Sequence, residues 1–261
     1  MKYAVYQMDI VAGEPEQNRQ KVKAWLDDTV KNGKPDIVVL PEMWTTAYTL
    51  PRLDEVADRQ GEPTVSFLQE VAKEYDVHII GGSVANRKEK GYYNTALVMD
   101  RNGNLVHQYD KIHLVPMLDE PKYLSGGKNK AEVFELEGVK MGVIICYDLR
   151  FPELVRKLAL EGIQVLHIVA EWPAARKDHW TALQLARAIE NQMFVVSCNR
   201  VGSYDGVDFA GTSMIIDPWG KIVEQGSEDR EETLRAEISL DLVSKIRKDV
   251  PVFSSRVPEL Y

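Results

Sequence analysis

The chain has 261 residues, of which 44% are apolar and 28% charged, a balance that supports a packed core and excludes a disordered chain. Lys+Arg number 32 against 40 for Asp+Glu, so the net charge is −8 and nucleic-acid or anionic-membrane partners are disfavoured. Cys146 and Cys198 are too few for a disulfide framework or a zinc cluster. No apolar run approaches the ~18 residues of a membrane span, and MKYAVYQMDI lacks the apolar core and cleavage site of a secretory signal, so a cytoplasmic location is expected.

In chain order, Tyr3 to Ile10 alternates as a strand, and residues 16–32 read as a helix with Pro15 at its first turn, where a missing N–H costs little. DIVVL (36–40) is a continuous apolar run, the pattern of a strand buried on both faces. Residues 64–75 read as a helix, and Val77 to Ile80 as a strand ending at Gly81-Gly82. Asn94 to Met99 and Leu105 to Tyr109 flank Asp100–Gly103, a hairpin signal. Gly142 to Cys146 is a further apolar run, followed by a helix at 152–161 and a strand at 163–169.

The clearest helix spans 178–192, where Ala182, Leu185, Ala186, Ile189 and Met193 recur on one face and predict its core side. Phe194 to Ser197 reads as a strand, and Met214 to Val223 as a second hairpin turning at Asp217-Pro218 and Gly220. Residues 250–261, with Pro251 and Pro258, read as an extended tail. No linker, low-complexity tract or repeat interrupts the chain, so one mixed α/β domain over 1–261 is the expected architecture.

Three polar residues directly follow strand patterns, at the strand ends where α/β sheets bind ligands: Glu42 after DIVVLP, Lys111 in YDKIH and Cys146 at the end of VIIC. A thiol there can act as nucleophile, a carboxylate as proton shuttle and an ammonium as charge stabiliser. The alternative for Cys146 is an inert core thiol, because cysteine is among the most buried residue types. Glu42 and Lys111, each taken alone, are equally ordinary surface charges; Cys198 reads as structural. The five histidines form no ligand pattern for a metal, and His113 leaves open a Cys–His mechanism. Gly81-Gly82 and Gly126-Gly127 are isolated turns rather than a phosphate-binding loop.

Taken together, PEMW (41–44), DKIHL (110–114) and CYDLRFPE (146–153) resemble, in order and spacing, the three signature segments of the nitrilase superfamily of carbon–nitrogen hydrolases. The resemblance continues through AEWPAARKDHW (170–180), LARAIENQ (185–192), CNRVG (198–202), GTSMIIDPWG (211–220) and the terminal PELY, and so covers nearly the whole chain. Within the superfamily it is most similar to the bacterial ω-amidase branch, which hydrolyses monoamides such as 2-oxoglutaramate.

The resemblance implies an αββα sandwich that pairs into a homodimer, with no metal or organic cofactor. It implies Cys146 as nucleophile, Glu42 as general base and acid, and Lys111 as stabiliser of the tetrahedral intermediate, with Glu120 matching an assisting second glutamate. A neighbouring ammonium is expected to favour the thiolate of a group whose ordinary pKa is about 8.5. The backbone N–H of Tyr147 is expected to help hold the oxyanion, and Trp172 and Tyr48 to line the pocket. Asp148 and Arg150 are expected to pair and orient the turn. A small carboxylate-bearing amide is the expected substrate, with Arg150, Arg176, Lys177 and Arg200 as candidate partners of its carboxylate. The alternatives are a nitrilase or N-carbamoyl amino acid hydrolase using the same triad, or a binding module without turnover.

Overall fold

The structure is a computed structural model and describes residues 1–260. The first six strands are β1 (Lys2–Gln7), β2 (Ile37–Val39), β3 (Asp58–Arg59), β4 (His78–Lys88), β5 (Gly91–Met99) and β6 (Leu105–Asp110). They are followed by β7 (Phe134–Leu136), β8 (Val139–Ile145), β9 (Val165–Ala170), β10 (Phe194–Asn199), β11 (Ser203–Tyr204), β12 (Val207–Asp208), β13 (Met214–Ile216), β14 (Ile222–Gln225) and β15 (Glu232–Glu237). The helices are α1 (Pro15–Lys31), α2 (Leu53–Val56), α3 (Thr64–Tyr75), α4 (Glu120–Tyr123), α5 (Pro152–Leu160), α6 (Lys177–Asn191) and α7 (Asp241–Asp249). Among the described residues no helix is long and apolar enough to cross a membrane.

Two sheets carry the architecture. The first runs β15-β1-β2-β4-β5-β6, with β3 on β4; the second runs β14-β13-β10-β9-β8-β7. Period-two alternation divides the first sheet between two cores. Tyr3, Val5, Ile37, Val39, Ile80, Ala96 and Val98 face the second sheet, sharing a core with Val143, Ile145 and Ile168. Ala4, Tyr6, Val38, Leu40, Ile79, Leu97 and Met99 face the other way, against Val22, Trp25 and Leu26 of α1 and Leu68, Val71 and Ala72 of α3. On α1 the buried stripe is Asn18, Val22, Trp25, Leu26 and Thr29, one helical face. Val155 and Leu158 of α5 and Trp180 and Ala188 of α6 pack on the second sheet. The layers are therefore helix, sheet, sheet, helix, the four-layer α/β arrangement expected from the resemblance. The C-terminal ends of parallel strands β2, β8, β9 and β10 gather at one edge of the sandwich.

Three expectations are corrected. First, β4 does not stop at Gly81-Gly82 but continues to Lys88, with a register shift between Ile80 and Ser83 against β5. The glycines form a bulge. Gly82 has φ of +60°, and a Cβ there would lie 2.0 Å from the Pro41 carbonyl oxygen, so only glycine lets this bulge pass the turn that carries Glu42.

Second, the predicted apolar stripe 182–193 faces the core only in part: Met193, just past the end of α6, is buried and Leu185 packs against the core, but Ala182 and Ile189 point outward. Ala182 is exposed, Ile189 is 51% exposed, and the buried side is Trp180, Gln184, Arg187, Ala188 and Asn191. The polar members of that side have jobs inside: Arg187 donates to Leu149 O at 2.9 Å, behind the turn that bears Cys146. Third, the tail is not extended: residues 252–255 form turns and Pro258–Leu260 a 3₁₀ turn, with Phe253 beneath the guanidinium groups of Arg156 and Arg247.

Candidate active site

Cys146 stands where β8 ends and a 3₁₀ turn, Cys146–Arg150, begins. Its φ is +45°, a left-handed conformation that a residue with a Cβ adopts only when its surroundings enforce it. The enforcing group is Asp148, fully buried, which accepts from Ile145 N at 3.1 Å, Tyr109 Oη at 2.7 Å and His113 N at 3.1 Å. The strand-to-turn elbow therefore presents the thiol at the edge of the second sheet.

The charged groups come from the first sheet. Glu42 follows β2, Lys111 follows β6 and Glu120 opens α4; all three are fully buried. Lys111 Nζ lies 2.8 Å from Glu42 Oε1 and 2.7 Å from Glu120 Oε1. Tyr48 Oη lies 3.0 Å from Glu42 Oε1 and 2.6 Å from Glu120 Oε1, and Asn94 Nδ2 donates to Glu42 Oε1 at 2.7 Å. The second sheet closes the cluster, because Glu171 N, just after β9, donates to Glu42 Oε2 at 2.7 Å. Val115 N donates to Glu120 Oε2 at 2.6 Å. A cleft above Cys146 is walled by Val115, Leu118, Tyr147, Trp172 and the cations Arg150 and Arg176.

The sequence model of the family described as carbon-nitrogen hydrolase matches residues 2–248. The chain belongs to the carbon–nitrogen hydrolase family. It is 45% identical to a 2-oxoglutaramate amidase of Bacillus subtilis over the full length of both chains. It is 36% identical to the omega-amidase YafV of Escherichia coli over 84% of this chain and 83% of that one. Among solved structures, Saccharomyces cerevisiae Nit3, a member of branch 10 of the nitrilase superfamily, superposes with a TM-score of 0.90 at 27% identity, covering 98% of this chain and 96% of that one. The family and fold that the signature segments imply are borne out, and with them an enzyme that hydrolyses carbon–nitrogen bonds.

In this carbon–nitrogen hydrolase the structure brings Glu42, Lys111, Glu120 and Tyr48 into one buried hydrogen-bonded cluster. Tyr48 is thus part of the charge network rather than only a pocket wall. Tyr147 and Trp172 line the cleft with Cys146. His113 does not form the rival pair: its Nδ1 lies 2.7 Å from Asp148 Oδ1 and its ring stacks on Phe151 at 3.5 Å. Cys198 lies inside β10, its thiol donating to Tyr6 O at 3.1 Å.

The expected Asp148–Arg150 pair does not form, because Asp148 is spent on the elbow. Arg150 instead lies over Trp172, 4.7 Å from the ring centroid, and among the described residues no carboxylate lies within ion-pair distance of it. Among the other candidate cations, Arg200 is fully buried against Glu171 at 3.0 Å and Lys177 pairs with Glu228 at 2.7 Å, so neither is free for a ligand. Asn94, Glu171 and Asn199 go unremarked in the sequence reading. Their only signal is a polar residue inside or just after an otherwise apolar strand. Asn199 Oδ1 accepts from Trp172 N at 2.7 Å and so fixes the cleft wall.

Charge in the cluster is close to balanced. Burial works against the Lys111 ammonium, but the Glu120 and Glu42 charges outweigh it and hold the group well above its ordinary pKa. Burial pushes the Glu120 carboxyl up, with Lys111 opposing and Glu42 adding to the rise. The Cys146 thiol is pushed well above its ordinary value by burial and then by Glu42, while Lys111 opposes. The expectation of a thiolate favoured by the ammonium is corrected: Lys111 is already engaged by two carboxylates, and burial and Glu42 outweigh it at the Cys146 thiol. Among the described residues no group of three His, Cys, Asp or Glu is arranged to hold a metal ion.

Proposed function

We propose that the chain is a thiol amidase that hydrolyses a short amide bearing a carboxylate at its far end, of which 2-oxoglutaramate is the leading candidate. The observation that carries the catalytic part is the buried Glu42–Lys111–Glu120 cluster beside a thiol on a strained elbow. The names of the amidases most like it support the substrate class.

In this mechanism Glu42 takes the Cys146 proton as sulfur attacks the amide carbon. The carbonyl oxygen becomes an oxyanion, held by Lys111 Nζ and the backbone N–H of Tyr147; one such donor is worth about 3–4 kcal/mol in comparable acyl transfers. Glu42 then gives its proton to the amide nitrogen, the C–N bond breaks, and ammonia leaves a thioester on Cys146. Water enters, Glu42 removes a proton from it, and the resulting tetrahedral centre collapses to the acid. The thiolate recovers the proton from Glu42. Glu120 and Tyr48 keep Lys111 and Glu42 in register through both halves. Arg150 and Arg176, the cleft cations with no carboxylate partner among the described residues, suit the substrate carboxylate. An anionic substrate of a −8 chain needs such a local offset.

The reading includes a homodimer and a cytoplasmic location. Outward apolar residues support the dimer: Ile189 of α6, lying against Gly220, is 51% exposed, Trp219, next to Gly220 in the chain, is 55% exposed, and Ala182 of the same helix is exposed. An Ile189→Asp variant should run as a monomer in light scattering if this face joins two copies.

The deciding assay is ammonia release from 2-oxoglutaramate, succinamate, propionamide, a nitrile and an N-carbamoyl amino acid. The proposal expects the two carboxylate-bearing amides to have the highest kcat/KM. Preference for propionamide or the nitrile would overturn the substrate class and leave the Glu–Lys–Cys chemistry standing.

A further inference from the structure

Beside the catalytic cluster lies a second buried ion pair that the mechanism does not use. Glu171 and Arg200 are both fully buried, with Arg200 Nη1 3.0 Å from Glu171 Oε2. Arg200 is held on every side: Nε donates to Val201 O at 3.0 Å, Nη2 to Ile10 O at 3.1 Å, and the guanidinium lies 4.4 Å from the Phe209 ring centroid. Asp9, 3.5 Å away, is 56% exposed and screened by water. The backbone around Glu171 is equally fixed, because Arg200 N donates to Ala170 O at 3.2 Å and Asn199 Oδ1 accepts from Trp172 N. That backbone supplies the N–H on Glu42 Oε2.

The arrangement has an electrostatic consequence. A guanidinium does not give up its proton, so a buried Arg200 without a counter-ion would be a permanent positive charge one residue's reach from the cluster, behind the Glu171 backbone that holds Glu42. Such a charge holds neighbouring acids in their ionised forms and weakens them as proton carriers. Glu42 must take and return a proton twice per turnover.

We propose that Glu171 is a positioning residue for the general base: paired with Arg200, it fixes the peptide N–H that holds Glu42 and cancels the guanidinium charge the cluster would otherwise feel. This rests on the Glu42–Lys111–Cys146 reading. The charged and titratable groups acting on Glu171 are Arg200, Glu42 and Lys111; Cys146 faces Glu42, Lys111, Glu120 and Tyr48. Burial pushes the Glu171 carboxyl up to about 8, with Arg200 opposing. Its charge is therefore present in the alkaline range where the Cys146 thiol, itself pushed well above its ordinary value, ionises.

The test is the pH dependence of Cys146 alkylation by iodoacetamide, followed by mass spectrometry with buried Cys198 as internal control, in the full chain. Glu171→Gln keeps an oxygen for Arg200 to donate to but loses the negative charge. The alkylation midpoint should fall by about one pH unit, the lower end of the shift a nearby charge produces. A Glu171→Gln/Arg200→Gln double variant removes both charges and should return the midpoint to within about 0.3 units of wild type. A midpoint that does not move in Glu171→Gln, or a double variant that keeps the single variant's shift, overturns the proposal. Loss of the triad reading would be seen separately, as ammonia release that survives Cys146→Ala.

Discussion

Replacing Lys111 by Met removes the one cation between two buried carboxylates and keeps the length of the side chain. Glu42 and Glu120, 2.8 and 2.7 Å from Nζ, would then share only the Tyr48 hydroxyl. Breaking a buried ion pair from one side costs about 3–5 kcal/mol, because the remaining charge is uncompensated. At about 2–4 °C per kcal/mol for a chain of this size, Tm should fall by roughly 6–20 °C.

The loss should depend on pH, with a definite sign. Burial already raises Glu120, and Lys111 opposes that rise. Without the ammonium the carboxyl rises further, so the folded variant holds a proton that the unfolded chain releases near its ordinary value of about 4.3. That contribution is present at low pH and lost as pH rises through the folded value. The Tm deficit should therefore be smaller at pH 5 than at pH 8. Independently, kcat should fall by about 10²–10³ through loss of the oxyanion donor, with KM little changed. Thermal unfolding by circular dichroism at the two pH values, beside steady-state ammonia release, measures both effects. A variant with wild-type Tm and kcat within tenfold of wild type, or one in which only KM rises, would refute the placement of Lys111 at the reacting carbonyl.

Cys146→Ala should abolish turnover in a protein that still unfolds cooperatively, whereas Cys198→Ala, losing only a hydrogen bond to Tyr6 O, should keep most activity; equal losses at both would contradict the choice between them. Glu42→Gln should lower kcat far more than it raises KM, and a change confined to KM would move Glu42 from proton transfer to binding. His113→Ala should cost much less than Glu42→Gln, since its ring serves Asp148 and not the thiol; matching losses would revive a Cys–His mechanism. Arg150→Met should raise KM for succinamate at least tenfold more than for propionamide, and a parallel rise for both would remove Arg150 from carboxylate recognition.

Local pattern carries much of this protein. The limits of α1 and α3 and the apolar runs of β2, β8 and β9 follow from local pattern, which is a property of neighbouring residues. Glu42, Lys111 and Cys146 stand out for the same reason: each is a reactive group directly after a strand pattern, and the surrounding signature segments name the family. Periodicity misleads where a nonlocal contact overrides it. In α6 Ala182 and Ile189 are apolar yet outward, because Arg187, Gln184 and Asn191 are needed inward and find hydrogen-bond partners there. Gly81-Gly82 looks like a stop, yet the strand runs on, since the glycines serve a bulge that clears Pro41.

Composition and motif order therefore determine the family and single out Glu42, Lys111 and Cys146 as candidates, but not their electrical state. That state depends on which groups meet across the two sheets, with Glu42 reaching Lys111 from 69 residues away and Glu171 from 129. An isolated Lys–Cys pair favours a thiolate. In the folded site Lys111 is held by two carboxylates and Arg200 by Glu171, and the Cys146 thiol is pushed well above its ordinary value. Coulomb interactions act through space in a medium from which water is excluded, so only the assembled sandwich decides their balance.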